Sequence, residues 1–122
     1  MELTLTTAEW SVMERLWDKS PQTGREVVSF LEDTMEWSRS TTLTLLTRLE
    51  AKGAVGSDSS QGKKLFYPTV ERSQVAQQET KAFLDRVYQG SLTMMVSAMT
   101  QEAPLSKEEL AELYALLQGM EE

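Results

Sequence analysis

The sequence contains no cysteine and no histidine. Without cysteine there are no disulfides, thiolate nucleophiles, iron–sulfur clusters or thiolate zinc sites. Without histidine the common serine and cysteine triads, most catalytic metal sites and the usual proton shuttle at neutral pH are gone. Only chemistry by Lys, Asp, Glu or Tyr is left. No convergent motif of such residues stands out, so the chain is read as non-enzymatic, with no metal and no cofactor. Apolar runs are short, and none approaches the roughly 18–20 residues that a membrane crossing needs. The opening MELTLTTAEW carries an acid and no basic segment, so it does not read as a secretory signal. The expectation is a cytoplasmic protein without membrane insertion. Positive charge is scarce as well: 12 Lys and Arg stand against 19 Asp and Glu, a net charge of −7.

What is present is a series of helix starts. The 122 residues suit one domain, or one small domain with an accessory helical segment. Thr6 and Glu9 have the spacing of a capping box, and Trp10, Met13, Leu16 and Trp17 follow on one helical face. Ser20-Pro21 breaks that helix. Thr23 and Glu26 form a second box, leading a short helix through Val27, Val28 and Leu31 that should end near Glu32. A third helix starts at Trp37-Ser38-Arg39-Ser40 and runs through Thr42, Leu45, Leu46 and Leu49. Gly53 stands where a left-handed terminator belongs. Ala54 to Ser57 and Lys64 to Pro68 read as two strands around a turn-rich tip. From Ser73 to Gln89 no proline or glycine intervenes. Gly90-Ser91 then interrupts, and a third box, Ser106 with Glu109, opens a last helix.

Three helices followed by a hairpin is the outline of a winged helix-turn-helix. The expected fold is therefore mostly α with a small β-hairpin. Residues 1–70 are the expected winged-helix DNA-binding domain, and residues 71–122 a helical dimerisation segment. In helix-turn-helix logic the later helix enters the major groove while the earlier one braces it across the backbone. If Leu45, Leu46 and Leu49 are buried, a wheel of about 100° per residue puts Ser40, Thr44 and Thr47 opposite, flanked by Leu43 and Arg48. Hydroxyls bond base edges or phosphates, Arg pairs with guanine, and an apolar side chain meets a thymine methyl. Arg39 and Thr41, at the helix start, and Lys63 and Lys64, beside the hairpin tip, are candidates for phosphates.

Plainer readings exist for the same residues. Ser and Thr at a helix start also serve as caps, and hairpin lysines also serve as solvated charge. Met94, Met95 and Met99 read as packing rather than metal ligands, and Glu108, Glu109 and Glu112 as a solvated face. The acidic balance argues against a nucleic-acid partner, yet residues 1–70 hold eight basic and ten acidic residues, so most of the surplus lies beyond them. The narrow stripes after residue 70 cannot make a core alone. Phe83 and Val87, then Leu92, Met95, Val96 and Met99, then Leu110, Leu113 and Leu117, call for a partner, and a symmetric homodimer is the commonest one. Two readers on one dimer fit a palindromic operator in double-stranded DNA. The alternative is a winged-helix protein–protein adaptor without DNA binding.

The order and spacing of several segments resemble the penicillinase-repressor family of winged-helix transcriptional repressors. They are Leu5-Thr6-Thr7-Ala8-Glu9-Trp10 with Met13 and Trp17; the run from Trp37 to Leu49 with Lys52-Gly53; Phe66-Tyr67; the run from Glu79 to Ser91; and Leu105-Ser106 with Glu109-Leu110. The resemblance implies a homodimeric bacterial repressor that reads an operator and dimerises through its C-terminal helices. The copper-responsive branch of that family ends in paired cysteines, which this chain lacks. In the antibiotic-responsive branch, a membrane sensor pathway leads to cleavage of the repressor at an Asn–Phe bond, and the matching bond here is Ala98–Met99. Family members commonly place a basic residue where Leu43 stands, so the resemblance implies a different operator.

Overall fold

A computed structural model of the chain describes residues 3–121. The element order is α1 (Thr7–Asp18), β1 (Gln22–Thr23), α2 (Gly24–Met35), α3 (Arg39–Lys52), β2 (Val55–Asp58), β3 (Leu65–Pro68), α4 (Arg72–Tyr88), α5 (Leu92–Glu102) and α6 (Lys107–Gly119). It divides into two compact units, Met1–Glu79 and Thr80–Glu122, with α4 running across the division.

Local chemistry starts the helices. Thr6 accepts a hydrogen bond from the Glu9 N–H at 3.1 Å, and the Glu9 carboxylate accepts one from the Thr6 N–H at 2.8 Å. Thr23 and Glu26 repeat this exchange in front of α2, and Ser106 and Glu109 in front of α6. Each exchange satisfies backbone donors that a helix start leaves unpaired. Helix α2 does not stop near Glu32. It continues to Met35 and ends on Glu36, which takes left-handed geometry at φ 58°. No glycine marks that turn, so the helix outruns its apolar pattern. Gly53 closes α3 at φ 82°, in the left-handed region where a glycine costs least.

The sheet has three strands in the order β1-β3-β2, both pairings antiparallel. In the hairpin, Val55 faces Pro68 and Asp58 faces Leu65, each strand starting one residue later than its sequence pattern suggests. The two-residue strand β1, unmarked in the sequence, sets Gln22 against Phe66 and Thr23 against Leu65.

The core of the first unit draws on its helices and on the sheet. Val12, Met13 and Leu16 from α1, Val27 and Leu31 from α2, and Leu45, Leu46 and Leu49 from α3 meet Val55 and Phe66 of the sheet. Val75 of α4, 2% exposed, belongs to the same core, so this unit reaches past residue 70 to Glu79. Trp10 and Trp17 pack edge to face against it with ring centroids 5.4 Å apart, and Trp17 Nε1 donates to the Val70 carbonyl at 2.9 Å. That hydrogen bond supplies the partner a half-buried indole needs.

Candidate nucleic-acid interface

Helix α3 presents its polar side to solvent because its apolar side is spent on the core. Leu45, Leu46 and Leu49 are buried, and Thr42 with them. Arg39, Ser40, Thr41, Thr44, Thr47 and Arg48 are all exposed. Ser40, Thr41, Thr44 and Arg48 line a shallow concavity of about 270 Å³, floored by Leu45. Among the described residues neither Arg39 nor Arg48 is held in an ion pair, so both guanidinium groups are available. Thr47 Oγ1 donates to the Leu43 carbonyl at 3.0 Å, leaving its lone pairs to accept.

The start of α3 differs from those of α1 and α2. Ser38 caps it, accepting from the Thr41 N–H at 3.2 Å, and its hydroxyl lies 3.0 Å from that of Thr41 and 3.2 Å from that of Ser40. No acid stands in its first turn, whereas Glu9 and Glu26 occupy the corresponding place in α1 and α2. Here the positive end of the helix dipole is not offset by a carboxylate of the first turn and is lined by hydroxyl groups, which suits an incoming anion.

Two sequence expectations need adjusting. Leu43 does not stand free on the exposed face of α3. It is half-buried and packs on the core edge, where Gly24 brings the α2 backbone and the Phe66 ring close. The wheel put it on the border of the exposed face, and α2 occupies that border. Lys64 is also engaged: its Nζ lies 3.2 Å from Glu50 Oε1 and 5.1 Å from the centre of the Phe66 ring. Lys63 is exposed and, among the described residues, forms no ion pair. The sequence carries no signal for the Lys64–Glu50 pair, because the fold joins positions that no local spacing relates.

In the second unit neither α5 nor α6 contains a buried residue. Phe83, Val87, Leu92, Met99, Leu110 and Leu117 are exposed by 40–60%, while Met95, Val96 and Leu113 are half-buried. Leu92, Val96, Leu113, Leu116, Leu117 and Met120 line an open apolar cavity of about 510 Å³. The Ala98–Met99 bond lies inside α5, with Ala98 half-buried. Among the described residues no helix is long and apolar enough to cross a membrane, and no three Asp or Glu side chains gather as a metal site.

The penicillinase repressor family model matches residues 5–119. This chain belongs to the penicillinase repressor family. Methicillin resistance regulatory protein MecI of Mammaliicoccus sciuri is 31% identical over 115 residues, 93% of this chain and 92% of that protein. The penicillinase repressor of Bacillus licheniformis is 33% identical over 114 residues, 93% of this chain and 89% of its own length. The solution structure of monomeric Bacillus licheniformis BlaI in complex with the blaP half-operator is 30% identical, with a TM-score of 0.54. It covers 60% of this chain and 89% of that one. The oxidized form of MarR from E. coli is only 19% identical, but covers 97% of this chain at a TM-score of 0.51, a likeness of fold. The winged-helix architecture expected for this repressor-family chain is therefore present.

Proposed function

We propose that the chain is a DNA-binding transcriptional repressor that acts as a homodimer on a palindromic operator. One observation carries this reading: the exposed polar face of α3, with Ser40, Thr44 and Arg48 around one concavity, on a chain whose family relative BlaI has been solved with a half-operator. Ser40, Thr44, Thr47 and Arg48 meet base edges, with Leu43 at their border. Arg39, Thr41 and Lys63 hold phosphates, and Lys64 joins them if it leaves Glu50. The apolar surfaces of α5 and α6, together with Phe83 and Val87, close against the second copy, so the dimerisation segment lies within residues 71–122, beyond the part of α4 that carries Val75 into the first core. Repression is steric, as an occupied operator blocks polymerase. No residue has a catalytic role, and the protein works in the cytoplasm, where its operator is.

Relief comes from weakening the dimer. Cleavage at Ala98–Met99, on a signal from a membrane sensor-protease pathway, requires α5 to open first, because a protease takes its substrate from a locally unfolded segment. The test of the central reading is a salt titration of duplex binding. A repressor loses affinity steeply as salt rises, through counterion release. A protein–protein adaptor retains no duplex even at low salt, and that result would reject the proposal.

A further inference from the structure

Arg25 was not singled out by any sequence pattern, yet it is exposed and, among the described residues, forms no ion pair. It follows Gly24, whose backbone sits against the side chains of Leu43 and Phe66. That places the first turn of α2 beside both α3 and the wing. The sheet register supports the same neighbourhood. Thr23 is paired with Leu65, so Arg25, in the first turn of α2, and Lys63, before β3, each lie two residues along the chain from that pairing. Glu26 stands next to them. Its carboxyl lies below the ordinary value of 4.5, chiefly because the Thr23 backbone and hydroxyl donate to it, with the charges of Lys19 and Lys63 adding to the effect. Lys63 is thus within electrostatic reach of the first turn of α2. Two exposed cations from different elements, neither held in an ion pair among the described residues, match the spread of a nucleic-acid backbone better than a single exposed charge does.

We propose that Arg25 and Lys63 form a second phosphate-binding site flanking the exposed face of α3, and that Glu26 beside them weakens its grip on duplex DNA. The proposal rests on the DNA-binding reading above and adds to it a contact on α2 and an opposing charge. Its signature is electrostatic and independent of sequence, since phosphates carry no base information.

The experiment titrates salt against two probes: duplexes that the wild-type chain selects from a random pool, and a shuffled duplex of the same composition. Arg25→Gln and Lys63→Gln should each lower the slope of log affinity against log salt by about 0.9 per bound protomer. Each should weaken both probes several-fold at low salt, with the ratio between probes unchanged. Glu26→Gln keeps a side chain able to complete the capping box, so the helix start survives, and it should bind both probes more tightly. Thermal melting confirms that each variant is folded. An unchanged slope in folded Arg25→Gln, or a change in the ratio between probes, would overturn the proposal while leaving the DNA-binding reading intact. A wild-type chain that binds neither probe would overturn both.

Discussion

The carboxylate of Glu9 and the ammonium group of Lys52 meet at 2.6 Å, the Glu9 side chain 1% exposed and the Lys52 side chain 36% exposed. The pair ties the first turn of α1 to the last turn of α3. Lys52 Nζ also donates to the Thr4 carbonyl at 2.8 Å, so the segment before α1 is held by the same group. The far end of the candidate reading helix is thereby fixed to the core.

This pair predicts a pH-dependent cost for Lys52→Met. Burial pushes the Glu9 carboxyl up, but the hydrogen bond from Lys52 and the Thr6 N–H outweigh it and leave the group below 4.5. A depressed carboxylate contributes stability that is present above its unfolded value and lost as pH falls through the folded one. Removing Lys52 leaves Glu9 one partner short in a buried place, at a cost of about 1–3 kcal/mol at neutral pH. The cost should shrink once pH falls well below 4.5, where Glu9 is protonated with or without Lys52. Urea melts of both proteins at neutral and at acid pH measure it. An equal difference at both would show that the charge pair is not the cause.

Thr42 gives a second prediction. Its Oγ1 is buried on the core side of α3 and, among the described residues, has no hydrogen-bond partner. Valine has nearly the same shape without the hydroxyl, so Thr42→Val should stabilise the chain by about 1 kcal/mol, the lower end of the cost of an unpaired buried polar group. A thermal melt reads this directly. A fall in the melting temperature would mean that the hydroxyl is satisfied.

The helix starts were legible because capping is local. Thr6 with Glu9, Thr23 with Glu26 and Ser106 with Glu109 each bond across three residues, and the structure shows all three exchanges. The buried stripe of α3 was legible from its period. What escaped was non-local or left no residue-type mark. Strand β1 exists only because β3 lies beside it, and nothing in Gln22-Thr23 announces a strand. Glu36 ends α2 in a conformation that glycine would have signalled. Of the candidate site, the exposure of Ser40, Thr44, Thr47 and Arg48 followed from the wheel. The half-burial of Leu43 and the capture of Lys64 by Glu50 did not, since both depend on neighbours distant in sequence.

A third prediction concerns the second unit. Leu117 is 44% exposed and lines the apolar cavity between α5 and α6. The proposed dimer covers it. Leu117→Glu should therefore turn the chain monomeric and weaken operator binding by about 10²–10⁴, the avidity lost when the second reader is no longer held nearby. Winged-helix stability should not change, because the core of the first unit contains no residue beyond Val75. Mass in solution, measured with duplex affinity, checks both halves. A variant that stays dimeric would remove this surface from the interface.

The measurement that tests the account most directly compares the duplexes selected from a random pool by the wild-type chain with those selected by Arg48→Ala. Arg48 is exposed, in no ion pair among the described residues, and lines the α3 concavity with Ser40 and Thr44. A two-fold symmetric consensus is expected for the wild type. For the variant, relaxed preference at one position in each half-site is expected, with a loss of about 1–3 kcal/mol. The same consensus bound with the same affinity by both proteins would contradict the account.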